Sequence, residues 1–123
     1  MNAAGLEKYR SALEILAADV EQSLRRRQHI VMETASDALD QTILAAEREM
    51  AAQNMEKDYR HLREIQAALA RLMNGRYGSC LRCEESIPAL RLEAIPWAAF
   101  CLGCQEHVDR LQAGVRMLNT RVA

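Results

Sequence analysis

Two Cys-x-x-Cys pairs, Cys80 with Cys83 and Cys101 with Cys104, contain all four cysteines of this 123-residue chain. The 17 residues between the pairs fall within the spacing of a four-thiolate zinc site. Each pair can turn two sulfurs toward one metal, and two pairs complete a tetrahedron. A tetrahedron closed by four thiolates leaves no position for water or substrate. The expectation is therefore one structural Zn2+ held by Cys80, Cys83, Cys101 and Cys104, with two disulfides or four free thiols as the alternatives. No secretory pattern opens the sequence, because Glu7, Lys8 and Arg10 follow Met1–Gly5 at once. A cytoplasmic protein is expected, and a reducing compartment favours metal over disulfides.

Ahead of the cysteines, Gly5 and Gly75 bracket 69 residues, Leu6 to Asn74, without a glycine or proline. Leu6, Leu13 and Val20 repeat at seven, interleaved with Tyr9 and Leu16, and Leu24 and Val31 continue the stripe. Met55, Leu62 and Leu69 repeat at seven further on, with Ala51, Ile65 and Leu72 beside them. Both stretches read as helices with a narrow coiled-coil seam. The only cluster of cap-forming side chains in the span is Thr34–Asp40, with Ser36 or Asp37 as N-cap of a second helix. Folding back there lets each stripe bury against the other, which predicts an antiparallel hairpin with arms of roughly 30 residues, about 45 Å.

Asn74-Gly75 is a helix stop, and the character of the chain changes after it. Residues 1–74 are expected to form the hairpin, with an acidic tip near 34–42. Residues 75–123 are expected to form the four-cysteine finger and a C-terminal helix over Gln105–Thr120, marked by Val108, Leu111, Val115 and Leu118. Trp97 and Phe100, the only Trp and the only Phe, should cover the small core beside the metal. The fold class is mainly α.

With 16 basic and 17 acidic residues, the net charge is −1, which is not the footprint of a chain that binds a phosphate backbone. No direct sequence-specific DNA binding is expected, and no apolar run approaches the ~18 residues of a membrane span. Phosphate loops, nucleophile elbows and His-carboxylate metal motifs are absent, so no enzyme is predicted. Between Gln28 and Glu47 lie four acids, Glu33, Asp37, Asp40 and Glu47, and no Lys or Arg. Asp37 and Asp40 can be read as a helix cap and a dipole partner. They can also be read as carboxylates carried on an arm to a distant target. Arg25-Arg26-Arg27 reads as a solvated helix surface, and His29 and His61 as surface or seam residues. A thiol or zinc redox sensor is a further reading of the four cysteines.

Cys80-x-x-Cys83, Ile87, Arg91, Pro96 and Cys101-x-x-Cys104 stand at the spacings of the DksA/TraR-type zinc finger, which this segment resembles. Tyr77-Gly78 and Arg91-Leu92-Glu93-Ala94 are similar to the same family, while Leu81 departs from its small polar or acidic residue. Counting back from Cys80 without gaps places Asp37 and Asp40 on the two tip aspartates of that family. The resemblance covers roughly residues 6 to 110.

The resemblance implies a monomeric transcription regulator that binds bacterial RNA polymerase through the secondary channel and alters promoter-complex stability. Asp40 would be the main tip effector, with Asp37 and Thr42 beside it near the active centre. It also implies a link to the stringent response through ppGpp, with Lys57 and Arg60 as possible remnants of the alarmone site. Two departures bear on this. Thr42 stands where the family has alanine, which favours a channel-binding competitor without full promoter activity as the alternative function. Glu64 stands where a lysine is expected and Gln105 where a basic residue is, and a carboxylate repels pyrophosphate, so ppGpp response should be weak. The N-terminal segment is shorter than in full-length DksA proteins.

Overall fold

The computed structural model describes residues 2–33 and 38–122. Helix α1 runs Ala3–Met32 and α2 Ala38–Met73, 30 and 36 residues, or about 45 and 54 Å. The first helix starts before Gly5, not after it. Asn2 explains this: its Oδ1 accepts the Gly5 N–H at 2.9 Å, an N-cap that draws the glycine into the first turn. At the other end, Glu33 is extended and its N–H closes on the Ile30 carbonyl. Helix α1 thus ends just before the expected Thr34–Asp40 stretch, α2 starts within it at Ala38, and Asp40 sits in the first turn of α2, where its charge suits the helix dipole. Ser36 and Asp37, the expected caps, lie outside the described residues.

The stop after Asn74 is a Schellman motif. Arg76 N–H reaches back to the Arg71 carbonyl and Gly75 N–H to that of Leu72, with Gly75 at φ +73. That left-handed residue is what turns the chain from the helix into the finger.

The two long helices pack antiparallel. Leu6 and Arg10 share a groove with Leu69 and Met73 at the base, and Arg27 meets Asp58 farther along. Tyr9, Leu13, Val20 and Leu24 of α1 are buried with Ile65 and Ala68 of α2, and Leu13, Ile65 and Ala68 have no exposed surface. Val31 departs from the expected stripe at 36% exposed. On α2 the four-and-three alternation takes in Asp58 between Met55 and Leu62, and beyond Ala51 it runs on toward the tip through Arg48 and Leu44. Two charged residues in that seam hid it from a reading of apolar repeats.

Beyond Gly75 a short helix α3, Ala89–Ala94, follows Pro88, and α4 spans Leu102–Val122. Helix α4 begins three residues earlier than expected, because the second cysteine knuckle is itself its first turn. Its apolar stripe is not buried as a core stripe would be: Leu111, Val115 and Leu118 are 56–62% exposed. One buried cluster joins hairpin to finger, with Tyr9 and Tyr77 rings 5.4 Å apart. No helix among the described residues is long and apolar enough to cross a membrane.

Candidate functional site

The finger is built from turns. Cys80 N–H donates to the Glu85 carbonyl and Glu84 N–H to that of Cys80, at 2.8 and 3.0 Å. Glu84 carries the positive φ, 66°, that closes this knuckle. Ser79 and Ser86 pair as an isolated antiparallel bridge, and Ile87 N–H bonds the Gly78 carbonyl. The Leu81 N–H donates to the Ala99 carbonyl at 2.9 Å and so ties the first knuckle to the strand of chain entering the second. Gln105 N–H on Cys101 O starts the helical turn of that second knuckle.

These turns bring the sulfurs of Cys80, Cys83, Cys101 and Cys104 within 4.8 Å of one another. Cys83 and Cys101 Sγ are 3.9 Å apart, and Zn–S bonds of about 2.3 Å require sulfur edges of about 3.8 Å. A disulfide requires about 2.05 Å, and all four are free thiols. The electrostatics point the same way. Burial opposes ionisation of Cys80, yet the N–H groups of Cys83, Cys101 and Arg82 outweigh it and pull its thiol down. The Glu85 N–H favours a Cys83 thiolate, but loss of solvent and the three neighbouring sulfurs push that thiol up. Four sulfurs this close cannot all be thiolates unless a cation shares their charge. The donor set fits one structural zinc, and Arg82 Nη1, 3.6 Å from Cys104 Sγ, supports it from outside.

A second set of bonds braces the 96–100 loop, from within the finger and, through Arg71 of α2, from the hairpin. The Tyr77 hydroxyl donates to the Pro96 carbonyl at 2.8 Å, and Arg71 Nη2 donates to the carbonyls of Trp97 and Ala98, both at 3.3 Å. Arg91 Nε donates to the Phe100 carbonyl at 3.0 Å. Trp97 and Phe100 pack against the buried cluster as expected. His61, read as an ordinary residue, packs edge-on against Trp97 at 4.4 Å, and its Nε2 is buried without a hydrogen-bond partner. No motif around His61 signalled that contact, because Trp97 is 36 residues away in sequence.

The remaining expected site residues are scattered. Asp40 and Thr42 lie exposed in the first turns of α2, far from the metal, and Asp37 lies outside the described residues. Lys57 and Arg60 are both exposed. Arg60 lines a cleft of about 660 Å3 between α2, the finger and α4, together with Glu64 and Gln105. Within that cleft Arg71 and Arg91 are already committed to backbone carbonyls, and Gln105 to Asp109.

Residues 75–110 match the prokaryotic dksA/traR C4-type zinc finger. The finger of this chain is of the DksA/TraR type. An uncharacterized Aquifex aeolicus protein is 53% identical over 49 residues, 40% of this chain and 34% of that protein. The RNA polymerase-binding transcription factor DksA of Haemophilus influenzae is 30% identical over 88 residues, 70% of this chain and 61% of that one. This chain thus spans about a third to three fifths of these curated relatives. The structure of transcription factor DksA2 from Pseudomonas aeruginosa superposes with a TM-score of 0.74 at 26% identity, covering 92% of this chain and 89% of that one. The DksA-type fold therefore extends over the hairpin as well as the finger.

Proposed function

We propose that this DksA/TraR-type protein is a transcription regulator that binds bacterial RNA polymerase through the secondary channel. The reading rests above all on the DksA2 likeness, which spans hairpin and finger together. A Haemophilus relative named as polymerase-binding supports it. In this reading residues 1–74 are the arm and 75–123 the module that anchors it. The zinc aims the arm and does no chemistry, and the protein acts as a cytoplasmic monomer without catalysis or direct DNA recognition. Asp40, with Asp37 and Thr42, meets the polymerase near its active centre and shortens the life of unstable promoter complexes.

The test is a promoter-complex lifetime assay on the zinc-loaded protein. Shortened lifetimes that Asp40→Asn restores toward the protein-free value support the reading; an Asp40→Asn protein as active as the parent sinks the tip mechanism. Thr42 favours one alternative, since a β-branched hydroxyl at a close-fitting tip is bulkier than alanine. A competitor of this kind displaces other channel-binding factors without altering promoters, and Thr42→Ala then confers the missing effect. In the same assay ppGpp should add little, because Glu64 faces the cleft that Arg60 lines and Lys57 does not line it.

A further inference from the structure

The hairpin is not uniformly glued. Toward the base, α2 presents Leu62, Ile65, Leu69 and Leu72 to the seam, and all belong to the buried cluster or pack on it. Toward the tip, the same seam offers Ala51 and Leu44, both buried but outside that cluster, and Arg48, whose Nε is buried without a hydrogen-bond partner. On α1 the stripe past Arg27 continues at the half-buried Ile30, while Val31 is 36% exposed. At the border between these halves stands one charged layer. Arg27 Nε and Asp58 Oδ2 approach to 3.4 Å across the helices, their side chains 31% and 18% exposed. The Asp58 oxygen makes no hydrogen bond, so the contact is one of charge.

We propose that Arg27 and Asp58 form a clamp that holds the distal part of the hairpin together and thereby positions Asp40. Partly buried ion pairs contribute little net stability compared with apolar residues, yet removing one partner strands a desolvated charge. Such a layer therefore specifies an arrangement better than it stabilises a fold. Its position gives it leverage. Asp40 lies 18 residues beyond Asp58, about 27 Å along the helix, so a tilt of about 10° at the clamp moves the tip by about 5 Å. Beyond the clamp the apolar seam narrows to Met55, Ala51, Leu44 and the half-buried Ile30, and of these only Met55 packs on the main buried cluster.

Amide hydrogen exchange on the full-length zinc-loaded chain tests this. Arg27→Gln and Asp58→Asn should each speed exchange about tenfold or more in peptides from 28–33 and 38–57. Peptides from 62–72 and from the finger should stay at the parent rate. The exchanged pair, Arg27→Asp with Asp58→Arg, should restore slow distal exchange. A rise spread evenly over hairpin and finger overturns the proposal, since the pair then serves global stability. So does unchanged distal exchange in the single variants, or a swapped pair that fails to recover it. The link to Asp40 rests on the proposed function, and a promoter-lifetime arm tests it separately: Asp58→Asn should weaken the effect and the swap return it. If Asp40→Asn has no effect there, the tip reading fails while the exchange result on the clamp stands.

Discussion

Tyr77 shows how one side chain serves the joint between arm and finger. Its ring packs on Tyr9 and its hydroxyl donates to the Pro96 carbonyl. Burial first, and then the neighbouring Tyr9, push its phenol up to about 12 from an ordinary 10.0, against the opposing pull of Arg71. The folded state thus keeps this proton longer than the unfolded chain. Its contribution to stability is complete below pH 10 and is lost as the pH rises from 10 toward 12. Alkaline unfolding of the zinc-loaded protein, followed by circular dichroism, should show that loss. In Tyr77→Phe this part of the pH dependence should vanish, at a cost of about 1 kcal/mol at neutral pH. The role of Tyr77 was only partly legible in the sequence. Its place before the first knuckle was evident, but the Pro96 carbonyl it bonds could be found only once the loop had closed.

At the level of elements, the periodicities that predicted the hairpin did so because buried seams leave a repeating mark. Leu13 and Ile65, both fully buried, lie on those repeats. The end of α1 at Met32 and the start of α2 at Ala38 agree with the capping cluster between them. What failed were inferences that treated residue type as position. Gly5 looked like a boundary and is inside a helix, because Asn2 supplies the cap. Leu111, Val115 and Leu118 marked the C-terminal helix correctly and are exposed, because a helical repeat says which residues share a face and not whether anything covers it. Asp58 and Arg48 were invisible as seam residues for the converse reason. Helix α4 also carries Gly114 in open space, where an added methyl group meets nothing within 4 Å. Gly114→Ala should therefore stabilise α4 by about 1 kcal/mol, seen as increased helical ellipticity on warming.

Across the whole molecule, the metal site and the hairpin base are mechanically one object. The buried cluster runs from Tyr9 and Leu13 through Ile65 to Cys80, Leu92 and Cys104. Removing zinc with a strong chelator should therefore do more than free four thiols. Structural zinc in small domains supplies on the order of 10 kcal/mol of folding free energy. Without it the 96–100 segment loses its place, Trp97 leaves His61, and the base of the hairpin loses one wall. The expected outcome is a shift in Trp97 fluorescence and a lower melting temperature, with much of the α1 and α2 helical signal retained. Complete loss of helix on chelation would show that the hairpin cannot stand alone.

The joint has one further property. Arg71, Tyr77 and Arg91 grip the 96–100 loop through the carbonyls of Pro96, Trp97, Ala98 and Phe100, which every amino acid possesses. Recognition is thus written in side chains on one side and in main chain on the other. Substitution should be tolerated unequally. The gripped loop is free to drift wherever its side chains are not packed, while the three gripping residues are not. A molecule built this way can change much of its sequence and still point its arm in the same direction.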